Sequence, residues 1–122
     1  MDPARALADL REISAQIEAA VIFDDDGSAI ASTVDDEERA ARIARAAWEL
    51  LASAPEGVVQ LQAALEDGSV FVVREGGRAI AATTGPEPMI GVVMYDLRTC
   101  LQALDGETQL PARAGSRASG PS

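Results

Sequence analysis

Residues 70–73, Val70-Phe71-Val72-Val73, are apolar at every position. A strand of that kind has no face to give to water, so it needs a covering layer on both sides. Its neighbours extend it into a meander. Val58 to Leu65 alternates, with Val59, Leu61, Ala63 and Leu65 on one face and Gln60 and Gln62 on the other, the pattern of a strand near a sheet edge. Glu66-Asp67-Gly68-Ser69 turns the chain, and Gly76-Gly77 closes a second hairpin onto Arg78 to Thr84. The two glycines supply the positive-φ positions that primed hairpin turns require. The rest of the chain is placed by asking what covers this sheet.

Asp2-Pro3 is a helix start, a capping carboxylate followed by proline at the first helical position. Leu7, Leu10, Ile13 and Ile17 follow at helical spacing, so one face seeks a sheet, and the helix frays near Ser14 to Gln16. Ala19 to Phe23 is again apolar throughout and predicts a second central strand, turned back by Asp24-Asp25-Asp26-Gly27 onto an edge strand within Ser28 to Thr33. A calcium loop with Gly27 as its sixth residue would need acidic groups where Ile22 and Thr33 stand. The acidic turn is therefore a solvated hairpin turn.

Val34 to Ala54 predicts a long helix, opened by Asp35 with Glu38 three residues on and ended by Pro55 and Gly57. At about 100° per residue, Glu38, Arg39, Arg42, Arg45, Glu49 and Ser53 fall in one polar arc. The remaining face, with Ile43, Ala44, Ala47, Trp48, Leu50 and Leu51, is wider than a single sheet contact needs, and a second copy of the same helix would cover the rest. Beyond Gly85-Pro86-Glu87-Pro88, the residues Ile90, Val93, Met94, Leu97, Leu101 and Leu104 recur at helical spacing over Met89 to Leu104, with Cys100 beside the stripe as a packed thiol. From Asp105 the composition shifts to glycine, serine, proline and alanine with Arg113 and Arg117, giving one domain over 1–105 and a flexible tail over 106–122.

Composition then removes whole classes of function. The 122 residues contain no histidine and no lysine, so there is no ordinary base for a nucleophile, no Schiff base and no P-loop. A formal net charge of -10 repels nucleic acid and acidic membrane surfaces. One cysteine rules out an internal disulfide framework and fits a reducing cytoplasm, and no apolar run is long enough to span a bilayer.

The order helix, two strands, long helix, three strands, helix resembles the roadblock/dynein light chain family over residues 3–104. Ala20-Val21-Ile22-Phe23 with Asp26-Gly27 and Ile30-Ala31-Ser32 is similar to that family's first hairpin. Gly68 with Val70 to Arg74 is similar to its third-to-fourth strand turn, and Met89-Ile90-Gly91-Val92-Val93 to the opening of its last helix. The resemblance implies an α+β, profilin-like roadblock fold with a five-stranded antiparallel sheet of order 2-1-5-4-3 and helices on both faces. It also implies a homodimer that pairs third strands edge to edge and packs second helices together. Ile43, Ala44, Ala47, Trp48, Leu51, Val59, Leu61 and Ala63 are the residues expected at that interface.

Bacterial members of the family resemble regulators of Ras-like small GTPases, which implies a non-enzymatic regulator without cofactor or metal. The partner is expected on the polar stripe Arg39, Arg42, Arg45 and Glu49 with Trp48, since arginine and tryptophan most often carry interface energy. The alternatives are a structural adaptor without effect on GTP hydrolysis and a small-ligand sensor. A sensor would need a cavity lined by convergent polar groups, and the sequence offers few.

Overall fold

The computed structural model describes residues 2–55, 59–64, 66, 68–75 and 77–109, the last five by their backbone alone. Val58, Leu65, Asp67, Gly76 and the tail arginines Arg113 and Arg117 lie outside the described residues. The elements are α1 (Pro3–Ile13), β1 (Ile17–Asp24), β2 (Ala29–Ser32), α2 (Glu37–Ser53), β3 (Gln60–Ala64), β4 (Ser69–Glu75), β5 (Arg78–Thr84) and α3 (Ile90–Gln109). The five strands form one sheet of order β2-β1-β5-β4-β3, antiparallel at every pairing.

Register converts the strand patterns into two layers. One row across the sheet runs Ser32, Val21, Ala81, Val72, Leu61, and the next runs Ala31, Ile22, Ile80, Val73, Gln60. Successive residues of a strand point to opposite faces, so the first row meets α2 and the second meets α1 and α3. The α2 layer buries Val21, Phe23, Val72, Ala79 and Ala81 against Ala40, Ala44, Ala47 and Leu51. The opposite layer buries Ile22, Phe71, Val73 and Ile80 against Leu7 and Leu10 of α1 and Val93, Leu97, Leu101 and Leu104 of α3. The apolar runs of β1 and β4 thus have the two covering layers they demand.

Local details depart from the sequence expectations for physical reasons. Asp2 stands at the N-cap of α1 with no side-chain bond to the helix, which starts on Pro3 instead. Ile13 is exposed, because the chain leaves the helix at Ser14, whose N–H donates to the Leu10 carbonyl, before the last apolar position reaches the sheet. Asp36, not Asp35, caps α2: its carboxylate accepts the N–H groups of Glu38 at 3.0 Å and Arg39 at 3.4 Å. Ile90 begins α3 and is exposed, while Cys100 joins the buried stripe. Helical backbone continues past Leu104 to Gln109. In the second hairpin turn, Gly77 has φ +82°, the left-handed conformation its lack of a Cβ permits.

Candidate functional site

Helix α2 is the element on which the expected contact residues meet, and the sheet divides its surface into three stripes. Ala40, Ala44, Ala47 and Leu51 are the stripe against the sheet. Opposite them, Glu38, Arg42, Arg45 and Glu49 are exposed and form the crest, while Arg39, also exposed, lies to one side and borders a groove with Ala19, Thr33 and Thr83. Between crest and core lie two flanks, one toward β3 and one toward β2.

The β3 flank is apolar. Leu50, 42% exposed, and Ser53 border a groove of about 280 Å³ with Leu61 and Ala63 of β3 and Val70 and Val72 of β4. Ile43 lies on the same flank of α2, two turns before Leu50, and is half-buried. α2 sits over β1, β2 and β5 and leaves this end of the sheet partly open. Among the described residues no strand pairs with the outer edge of β3. Val59, 51% exposed, precedes β3, and its carbonyl accepts the Arg74 N–H at 2.7 Å. Of the residues expected at a dimer interface, Ile43, Val59, Leu61 and Ala63 are thus brought to one side with accessible surface. Ala44, Ala47 and Leu51 are corrected: they are buried against this chain's own sheet and have almost no area to offer a second copy. Leu50 belongs to the groove instead, and its place on the wide apolar face was the signal for it.

Trp48 is on the other flank, away from β3. Its Nε1–H donates to the Asp25 carbonyl at 2.8 Å, and its ring lies over Gly27, where a Cβ would come within 3.1 Å of the indole. Gly27, with φ +85°, lets the β1–β2 turn approach that closely. The turn's acids are spent on the turn itself: Asp24 Oδ1 accepts the N–H groups of Asp26 and Ser28, and Asp26 Oδ1 accepts that of Ser28. The neighbouring Asp24 side chain first, and then the side-chain and backbone hydrogen bonds of Ser28, hold the Asp26 carboxyl below the usual range. Arg45 also belongs to this flank and borders a second groove, of about 610 Å³, with Ile30 of β2 and Ala40 and Ala41 of α2. The expected partner residues are therefore divided. Arg42 and Glu49 stand on the crest, Arg39 borders a groove with Ala19, Thr33 and Thr83, Arg45 bridges crest and β2 flank, and Trp48 is held in place by the first hairpin.

The remaining chemistry is sparse. Burial, reinforced by Asp9, pushes the Cys100 thiol up to about 11, so it is a neutral packing group at ordinary pH. Among the described residues no cluster of three or more acids or cysteines is disposed to hold a metal, and no helix is long and apolar enough to cross a membrane. Met89, Ile90, Val92 and Tyr95 form an exposed apolar group at the start of α3 that the periodicity did not single out. Helical spacing marks Ile90 as core, yet at the first position of α3 it is 47% exposed.

No protein-family model and no curated protein matches the sequence. Solved structures do match. The crystal structure of a Roadblock/LC7 domain from Streptomyces avermitilis is 19% identical, covers 89% of this chain and 99% of its own, and superposes with a TM-score of 0.77. A second structure of a Roadblock/LC7 domain from the same organism is 20% identical over 84% of this chain and 98% of its own, with a TM-score of 0.72. MglB of Myxococcus xanthus is 10% identical over 92% of this chain and 91% of its own, with a TM-score of 0.75. With identity this low and coverage this complete the agreement is one of architecture, and the fold of this chain is that of a Roadblock/LC7 domain.

Proposed function

We propose that the chain is a non-enzymatic homodimeric regulator that binds a Ras-like small GTPase through the crest of α2. The observation that carries this reading is the unequal surface of α2: an apolar flank beside the open β3 edge, and an arginine-bearing crest turned away from it. Apolar area next to an unpaired edge favours self-association, since it leaves water only when another strand and helix cover it. In a two-fold dimer joined there, the crests remain outside as one platform. The fold shared with Roadblock/LC7 domains and with MglB supports a regulatory domain, and the family resemblance supplies the GTPase as partner class.

The test is binding and hydrolysis with a Ras-like small GTPase. Wild type should bind it, and the double variant Arg42→Glu, Arg45→Glu should lose most of that affinity, more so at low salt. Binding with an unchanged hydrolysis rate would identify an adaptor instead. Unaltered affinity of the double variant would remove the crest from the contact.

A further inference from the structure

We propose that the chain's own basic segment 110–117 folds back into the apolar groove between α1 and α3, with Arg113 set against Asp9 and Arg117 against Asp96. This groove lies on the face of the sheet opposite α2, and its occupancy does not depend on what α2 binds.

The two helices leave between them a groove of about 220 Å³, whose apolar lining includes Leu10 and Ile13 of α1 with Cys100 and Ala103 of α3 and which carries two carboxylates, Asp9 and Asp96. Ile13 is 71% exposed, so the groove is uncovered at that end. Asp9 and Asp96 are half-buried, and among the described residues neither has an ion-pair partner. A carboxylate partly withdrawn from water beside apolar surface is stabilised by a cation brought to it. None of the arginines of α1 and α3 lines the groove. Arg11 borders the cleft beside Asp35 and Asp36, and Arg98 donates to the Gln60 side chain.

The occupant follows from where α3 stops. The helix runs to Gln109, less than two turns past Ala103, and Pro111 cannot continue it, which frees the chain to turn back over α3. At 1.5 Å per residue, Gln109 is about 14 Å from the level of Cys100 and about 20 Å from that of Asp96. Extended chain gains about 3.3 Å per residue. Arg113 therefore reaches Asp9, which lies close enough to Cys100 to act on its thiol, and Arg117 reaches Asp96. From Leu110 onward the sequence holds two of the chain's ten arginines and no acid, on a protein whose net charge is -10. The arginine stems would cover Leu10 and Ile13 while the guanidinium groups meet the carboxylates. A second copy of this face is a poor occupant, because it would oppose carboxylate to carboxylate. A short linker holds the segment at millimolar effective concentration, so a contact with a dissociation constant on the order of 0.1 mM closes the groove about tenfold in favour.

The test is nuclear magnetic resonance of the full-length, isotopically labelled chain at low salt. The double variant Arg113→Glu, Arg117→Glu should shift the amides of Asp9, Ile13, Thr99 and Ala103, and salt at about 1 M should move the wild type toward the same positions. Asp9→Asn with Asp96→Asn, which removes the charges and keeps their shape, should move the amides of Arg113 and Arg117 to the positions they take in high salt. A synthetic peptide of residues 110–122, added to the arginine double variant, should restore the wild-type groove shifts with a dissociation constant on the order of 0.1 mM. The same peptide with glutamate for both arginines should bind roughly tenfold more weakly or less. Groove amides identical in wild type and double variant, shifts on α2 or the sheet edges in their place, or equal binding of the two peptides would each overturn the proposal. So would wild-type shifts that fade on dilution, since the groove would then hold another copy's tail. None of these readouts involves the crest of α2.

Discussion

The two edges of the sheet are made of similar strands, short and uncharged, yet α2 gives them opposite surroundings. Toward β3 the helix presents Ile43 and Leu50 over Leu61 and Ala63; toward β2 it presents Arg45 and Glu37, and locks Trp48 onto the turn. A strand edge alone therefore does not specify its partner. The flank of the helix beside it does, an apolar flank selecting another buried surface and a charged one selecting a complementary chain.

The hairpins that carry the edges differ in the same way. In the β3–β4 turn, a Cβ on Gly68 would lie 1.9 Å from the Thr84 carbonyl oxygen, a backbone atom that cannot step aside. Gly68→Ala should thus be the most damaging change of all, costing on the order of 3–5 kcal/mol, much of the net stability of a small domain. Denaturant titration measures it. A loss under about 1 kcal/mol would mean that the β3 hairpin is free to shift.

Leu50→Glu tests the apolar flank. In a dimer joined through β3 it would bury an unpaired carboxylate in the groove, at a cost of about 3–5 kcal/mol, and raise the dimer dissociation constant a hundredfold or more, roughly, by the usual conversion. Sedimentation velocity should find monomers of intact fold. If the variant sediments as the wild type does, the self-association surface is not this flank.

On the other side, Gly27→Ala places a Cβ in the left-handed region and 3.1 Å from the Trp48 ring. The backbone term alone is about 1–2 kcal/mol, a fall in melting temperature of roughly 5–10 °C for a domain of this size. Trp48 emission should shift to the red as the turn lifts from the indole. An unmoved spectrum would show that the turn and the helix are not coupled.

Much of this architecture was legible before any coordinates. Ala19 to Phe23 of β1 and Val70 to Val73 of β4 are apolar at every position, and that pattern has few solutions other than a two-layered cover; the meander and the helices follow from turn glycines and period. What sequence withheld is where each helix sits over the sheet. The helical wheel of α2 shows a wide apolar face but not which flank borders which edge, so Trp48 and Ile43 were grouped although they look to opposite ends of the sheet. The same gap explains Ala44, Ala47 and Leu51, which periodicity cannot divide from Leu50. Asp35 and Asp36 compete for one cap, and the spacing to Glu38 favours the wrong one; only the carboxylate's reach to the Glu38 and Arg39 amides decides.

The smallest effect is the one that separates the two flanks cleanly. Arg42 and Arg45 are exposed, and neither touches the β3 groove. Exposed charges contribute little to stability, about 0–1 kcal/mol even when paired, and the change to glutamate retains helix propensity. The double variant should therefore keep the melting temperature within a degree or two, roughly, and should dimerise as the wild type does, while any acidic partner is lost. The control is Leu50→Glu, in which the dimer goes and the crest arginines stay. If the arginine variant instead dissociates the dimer, the two α2 helices cross at their crests rather than along the β3 flanks, and the division of this helix into a self-associating side and a partner side is wrong.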